Sequence, residues 1–150
     1  MAKKYKIAID ISPTVDGNAV RGVGYYTSNL VKSLQQHTQK HRSYSHLKID
    51  LVTDPAKLKQ KSYDLVHYPY FDPFKLTLPR SSQPVVVTVH DLIPIQFKNQ
   101  FPPGLRGKLK WQIQKRSLQQ VDSIITVSHY SKKIISQIVK YPQENIFPIY

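Results

Sequence analysis

Six short runs rich in β-branched and other apolar residues recur along the 150-residue sequence, and longer segments of different character separate them. Several of these runs are apolar at consecutive positions, which is typical of parallel strands buried on both faces. We therefore predict strands at Tyr5–Ile11, Lys48–Thr53, Asp64–Tyr68, Val85–His90, Ser123–Ser128 and Ile146–Tyr150.

Helical periodicity fills three of the intervening segments, at residues 24–37, 105–120 and 129–140. Their apolar positions recur every three or four residues: Tyr26, Leu30 and Leu34; Leu105, Leu109 and Ile113; Ile134, Ile135, Ile138 and Val139. We expect the stripe that begins at Leu105 to pack on the sheet, and Ser128 to cap the third helix. A single helical turn is predicted at 56–61, and loops are predicted at 69–84 and 94–103.

Strands that alternate with helices need crossover connections. The pattern thus predicts one α/β domain over residues 1–150, with a Rossmann-like, doubly wound parallel sheet of about six strands and helices on both faces. No internal repeat interrupts it.

Composition and charge exclude several classes of site. The sequence has no cysteine, which excludes disulfides, thiolate metal sites and cysteine nucleophiles. No segment approaches the roughly 18–20 apolar residues of a membrane-spanning helix. We expect a cytoplasmic protein. Its 22 Lys and Arg against 9 Asp and Glu give a net charge of +13, which attracts phosphates, nucleic acid or anionic membranes.

Lys98–Arg116 concentrates this charge, with six cations and no acidic residue. The same stretch and its neighbours carry Phe97, Phe101 and Trp111 beside the lysines, as in helices that lie at a membrane interface. One interpretation is a contact with the inner face of an anionic membrane. The other is an ordinary solvated surface.

Polar or titratable side chains follow most of the predicted strands. In parallel sheets, ligands bind at the carboxyl ends of the strands. The candidates for such a site are Asp10, His67, Tyr68, His90, Asp91 and Ser128. The pair His90-Asp91 is the most distinctive, because apolar sequence surrounds it on both sides. A zinc site built from His67, His90 and Asp91 is an alternative, as is plain solvent exposure of each strand end.

A second candidate is Arg21-Gly22-Val23-Gly24 at the start of the first helix. Glycines let a phosphate approach the backbone, and a helix N-terminus offers free N–H groups. A dinucleotide-binding turn would require glycine at position 27, where the sequence has Thr27, and would follow the strand directly. An oxidoreductase domain is therefore the weaker alternative.

Four motifs in order resemble the N-terminal domain of family 4 retaining glycosyltransferases. They are R-G-V-G-Y-Y-T, D-L-V-H-Y-P, V-V-V-T-V-H-D-L-I-P and V-D-S-I-I-T-V-S-H-Y-S-K, and the closing P-Q-E-N-I-F-P-I-Y is similar to the segment before that family's donor domain. The resemblance implies one half of a GT-B fold, which holds most of the acceptor site. The C-terminal donor-binding domain is expected to be absent from this chain, so that residues 1–150 would not catalyse alone.

The resemblance also implies roles for particular residues. His90 matches a histidine near the transferred sugar, and Asp91 follows it in the same motif. Arg21, Gly22 and Gly24 fall in the loop that approaches the donor's phosphates, while Asp10, His67, Tyr68 and Ser128 would face the acceptor side. It implies a nucleotide-sugar donor, a carbohydrate or lipid-linked acceptor, and no metal or other cofactor.

Two classes of function besides the transferase remain open from the sequence: a stand-alone anion-binding module and the dinucleotide-binding oxidoreductase domain. The charge would suit a separate module that binds an anionic surface. Nucleic acid is expected to attract the chain only non-specifically, since no recognition motif is present.

Overall fold

The computed structural model describes residues 3–59 and 62–150. Within them lie the strands β1 (Tyr5–Asp10), β2 (Leu47–Val52), β3 (Leu65–Tyr68), β4 (Val85–Thr88), β5 (Ser123–Thr126) and β6 (Ile146–Pro148). The α-helices are α1 (Gly22–Lys40), α2 (Ile93–Gln96), α3 (Gly104–Leu118) and α4 (His129–Val139). The chain divides into two compact units, Met1–Pro69 with Gln83–Val85 and Tyr70–Ser82 with Val86–Tyr150.

The strands form a six-stranded sheet in the order β2-β1-β3-β4-β5-β6. β1 pairs in parallel with β2 and β3, and β5 pairs in parallel with β4 and β6. The strand order reverses at β1, whose two neighbours both follow it in the chain. Since crossovers between parallel strands are right-handed, such a reversal sends helices to opposite faces. The predicted Rossmann-like α/β fold is confirmed.

The first unit contains β2, β1 and β3 with helix α1. Ala8, Ile9 and Val66 are almost fully buried in the centre of this unit. The predicted stripe of α1 lies half-buried, and Thr27 beside it is completely buried. The helix is longer than predicted at both ends. No glycine or proline follows Gly24 as far as Lys40, so no helix-breaking residue ends the helix earlier.

The second unit contains β5, β6 and the helices α3 and α4. As predicted, α4 buries Ile135 and Val139. It ends at Lys140, whose φ of 60° is left-handed. The Tyr141 side chain then fixes the exit of the chain, because its hydroxyl donates to the carbonyl of Val121 at 2.9 Å.

Helix α3 presents a different face to the protein than the sequence predicts. Leu105, Leu109 and Ile113 are 85%, 65% and 41% exposed, so the expectation that they pack on the sheet was wrong. The buried positions are Gly107, Trp111, Gln114, Ser117 and Leu118. The loop after β3 packs on this buried face, since a Cβ on Gly107 would lie 3.6 Å from the Phe74 ring and the Gln114 side chain is hydrogen-bonded to Leu78. These contacts leave the most apolar stripe of the helix facing outward.

The loop predictions are largely confirmed. Residues 69–84 contain turns and bends but no helix or strand. The segment 94–103 is a loop apart from α2, which starts just before it. The turn predicted at 56–61 is a 3-10 helix at Pro55–Lys59, and residues 60 and 61 lie outside the described residues.

Candidate functional site

Two predicted site residues end neighbouring strands in the first unit. Ile9 pairs with His67 in the parallel ladder, so Asp10 and Tyr68 follow at the same level of the sheet. Residues at the same level of parallel neighbours point to the same face, whereas consecutive residues alternate. The structure therefore brings Asp10 together with Tyr68, and it directs His67 to the opposite face.

All three of these side chains are buried. Asp10 is 6% exposed, His67 7% and Tyr68 2%. Burial lowers the pKa of His67 to about 4. Burial also raises the pKa of Asp10, against an opposing effect from the N–H of Ser12, which donates to its Oδ1 at 2.9 Å. These strand-end side chains are therefore not exposed to solvent, and that they face the acceptor side stays a prediction.

The loop that follows β1 is built from local side-chain hydrogen bonds. Asp16 accepts from the backbone N–H of Asn18 at 2.7 Å, and the Asn18 side chain is itself buried. This loop packs directly on the first turn of α1. A Cβ on Gly24 would lie 2.5 Å from the carbonyl oxygen of Asn18 and 2.7 Å from the Cα of Ala19. Gly24 is thus required by the loop itself.

Gly22 is different, because no heavy atom lies within 4 Å of the position its Cβ would take. It opens α1 after Arg21, which is exposed and extended at the N-cap. Within the described residues, the cap has no side-chain hydrogen bond and the first turn has no acidic residue. The N–H groups of this turn can donate hydrogen bonds to an anion at Gly22, and the positive end of the helix dipole attracts it.

His90 and Asp91 follow β4 in the second unit. His90 is half-buried between Val89 and Leu92, which are 0% and 1% exposed. Asp91 is exposed, and its Oδ1 accepts from the N–H of Ile93 at 3.0 Å. Asp91 therefore holds the start of α2, a structural role that its side chain fills in addition to any role in chemistry.

Ser128 follows β5, the strand that pairs with β4. Its Oγ accepts from the N–H of Ser131 at 3.0 Å and donates to the Ser131 hydroxyl at 3.0 Å. The predicted cap of α4 is confirmed. This cap accounts for a serine at position 128 without any need for a binding role. His90 and Ser128 nevertheless follow adjacent parallel strands.

Residues 3–59 and 62–150 contain no group of three His, Asp or Glu side chains that could hold a metal ion. The zinc alternative built from His67, His90 and Asp91 is therefore not supported. In the same described ranges, each helix is too short or too polar to cross a membrane.

No sequence pattern identified the residue that organises the loop at 69–84. Gln114, 1% exposed, accepts from the N–H of Leu78 at 2.9 Å and donates to its carbonyl at 3.0 Å. No periodicity marks a lone glutamine as a core residue. Nearby, Phe71 is 5% exposed, so its ring is packed inside the loop and does not present a face on which a sugar could stack.

Comparison with known proteins identifies a family for most of the chain. The model of Glycosyltransferase Family 4 matches residues 36–150, well over half of the sequence. None of the curated proteins compared with the chain matches it significantly.

Proposed function

The chain belongs to glycosyltransferase family 4, and from this premise we propose that it forms the acceptor-side half of a retaining glycosyltransferase. The reaction would move a sugar from a nucleotide-sugar donor to an acceptor hydroxyl. The donor's sugar–phosphate bond breaks, a glycosidic bond forms to the acceptor oxygen, and the acceptor's hydroxyl proton leaves with the nucleoside diphosphate. A carbohydrate or a lipid-linked carbohydrate is the acceptor class that we propose.

The observation that carries this proposal is the family match over residues 36–150. The matched part includes His90, which ends a buried run and is itself half-buried. A half-buried imidazole can hold a sugar hydroxyl or stabilise charge at a reacting carbon, because hydrogen bonds are stronger where water is excluded. We propose this role for His90.

The departure of a diphosphate requires stabilisation of its negative charge. Residues 21–24 precede the matched part of the chain, so their assignment depends on the resemblance of their motif and on geometry. The uncapped first turn of α1 and the open space at Gly22 support a phosphate contact there. Gly24 supports it only indirectly, by allowing the preceding loop to pack against the helix.

A dinucleotide-binding oxidoreductase is not favoured by the same region. Thr27, at the position where the fingerprint requires a third glycine, is fully buried, and its hydroxyl donates to the carbonyl of Val23 at 2.9 Å. The family match points away from that class as well.

The test is a transfer assay on the longest natural protein that contains this chain, with a panel of nucleotide sugars and sugar or lipid-linked acceptors. We expect transfer with retention of the anomeric configuration. His90→Ala should lower kcat at least about a hundredfold, the usual cost of losing one stabilising hydrogen bond at a reacting centre. The matched control is His41→Ala at the exposed end of α1.

Two outcomes would contradict the proposal. If no nucleotide sugar is consumed with any acceptor, the transferase assignment fails. If His90→Ala and His41→Ala retain equal activity, His90 is a packing residue. We also expect residues 1–150 alone to give no turnover, since a second domain would bind most of the donor.

A further inference from the structure

The outward face of α3 is apolar although it contacts solvent. Leu105, Leu109 and Ile113 stand four residues apart and are 85%, 65% and 41% exposed. Side chains at this spacing form one stripe on a helix. On the opposite side, Trp111 and Leu118 are buried within the second unit. The helix is therefore held by one face and leaves an aliphatic stripe free.

The same four-residue spacing continues toward the N-terminus. Ile93, Phe97 and Phe101 precede Leu105 at intervals of four, and each is close to half exposed. Backbone hydrogen bonds from Phe97 to the carbonyl of Ile93 and from Phe101 to that of Phe97 keep helical turns in this segment. These three half-exposed side chains add to the apolar surface of α3, although residues 102 and 103 are not helical and the two sets do not form one helical stripe.

Cations surround this apolar stripe. Between Asp91 and Asp122 the sequence has no acidic residue, and it has six basic ones: Lys98, Arg106, Lys108, Lys110, Lys115 and Arg116. Lys108 and Lys110 project to opposite sides of Leu109, because successive helical residues are rotated by about 100°. Both lysines are exposed.

A groove beside the helix shows that the segment before α3 lies along it. About 580 Å³ in volume, the groove is lined by residues of both, including Lys98, Pro103, Leu105, Lys108 and Trp111. Two lysines therefore line a concave surface next to an exposed leucine. A lipid headgroup has the anionic charge that such a surface would complement.

We infer that this face of the second unit, from Phe97 to Arg116, lies on an anionic lipid bilayer, with the α3 stripe inserted and the lysines against the headgroups. An aliphatic stripe bordered by cations is the arrangement of helices that lie in the plane of a membrane interface. This inference is independent of the proposed transferase activity.

The charge of this face distinguishes an anionic bilayer from two other possible partners, a second copy of the chain and nucleic acid. A second copy of the chain would place two sets of six cations against each other, which is unfavourable. Nucleic acid would satisfy the cations and could stack on the two exposed phenylalanines, but it offers no apolar partner for the aliphatic stripe of Leu105, Leu109 and Ile113. An anionic bilayer satisfies both parts of the surface.

The experiment is sedimentation of the 150-residue chain with vesicles of zwitterionic phosphatidylcholine alone or mixed with anionic phosphatidylglycerol. We expect binding to the mixed vesicles at least about tenfold stronger than to the zwitterionic ones, and weaker at high salt because the charge attraction is screened. The chain has one tryptophan, Trp111. Because Trp111 is buried, its fluorescence reports whether each variant remains folded.

Matched variants separate the two parts of the surface. Leu105→Gln with Leu109→Gln removes the apolar stripe at no change in charge, and glutamine suits a helix as well as leucine does. Lys108→Gln with Lys110→Gln removes two charges. Each pair should weaken binding to mixed vesicles at least about tenfold.

The control removes the same charge elsewhere. Lys32→Gln with Lys40→Gln changes two exposed lysines of α1 and should leave binding within about twofold. Equal and negligible binding of the unaltered chain to both vesicle types overturns the inference. So does full binding by the leucine variant, which would reduce the effect to non-specific charge attraction, or self-association through this face in size-exclusion chromatography.

Discussion

The carboxylate of Asp10 and the phenol of Tyr68 share one face at the ends of two parallel strands, and the charge of Asp10 opposes the ionisation of Tyr68. Burial raises the pKa of Tyr68 to about 12, and the negative charge of Asp10 adds to this effect. Burial also raises the pKa of Asp10. A carboxylate placed this way costs folding free energy, as is frequent for residues retained for function.

We predict that Asp10→Asn stabilises the chain at neutral pH. The pKa of Asp10 is higher in the folded state than in the unfolded state. The chain is therefore relatively most stable below the unfolded-state pKa, and this stability is lost as the pH rises through the folded-state pKa. The amide oxygen of asparagine can still accept from the N–H of Ser12. The measurement is the free energy of unfolding in urea at pH 7 and at about pH 3, and the difference between the two proteins should disappear at the lower pH, where Asp10 is protonated in both states.

The control for this change is Asp54→Asn. Asp54 accepts a similar bond, from the N–H of Ala56 at 3.0 Å, but it is exposed. Asp54→Asn should leave the free energy of unfolding nearly unchanged at both pH values. A large loss of stability in Asp10→Asn at pH 7 would show that the carboxylate is a structural anchor.

His67 should make the chain sensitive to acid. Its pKa falls from 6.5 to about 4 on folding, because the buried ring resists protonation. The contribution of His67 to the free energy of unfolding is fully present above pH 6.5. As the pH falls from 6.5 toward 4, the free energy of unfolding drops by roughly 1.4 kcal/mol per pH unit. We expect His67→Gln to remove this part of the slope of unfolding free energy against pH. The exposed His37→Gln should retain it, and equal slopes in the two variants would contradict the assignment.

Elements with a simple physical signal were predictable from the sequence. The strand at 5–11 is apolar at consecutive positions, and the structure places β1 at Tyr5–Asp10. Ser128 has the residue type and position of a cap, and it does accept from the N–H of Ser131. Such signals are local, since they depend on the preferences of a few consecutive residues.

The orientation of α3 was not predictable in this way. Its most apolar stripe is exposed at Leu109, whereas Gln114 is buried because two loop groups satisfy its amide. The near-complete burial of Tyr68 at the end of its strand was not predictable either. Both features depend on contacts between distant residues, which periodicity does not encode.

The two glycines at the start of α1 should respond oppositely to alanine. Gly24→Ala would place a Cβ 2.5 Å from the carbonyl oxygen of Asn18, so backbone must shift, at a cost of roughly 1–3 kcal/mol. Gly22→Ala meets open space and should leave stability unchanged or raise it by up to about 1 kcal/mol. Thermal unfolding of the two variants measures the difference, and equal melting temperatures would contradict the packing seen at Gly24.

Gln114 should be the polar residue on which the loop at 69–84 most depends. Gln114→Leu keeps the volume of the side chain but leaves the N–H and carbonyl of Leu78, itself 1% exposed, without their hydrogen bonds. Unsatisfied buried groups of this kind lower the free energy of unfolding by roughly 2–4 kcal/mol together. Gln112→Leu, at an exposed position of the same helix, should change it by less than about 0.5 kcal/mol. Limited proteolysis should also cut the loop faster in Gln114→Leu, and if both variants unfold and digest alike, the loop is held by its apolar contacts instead.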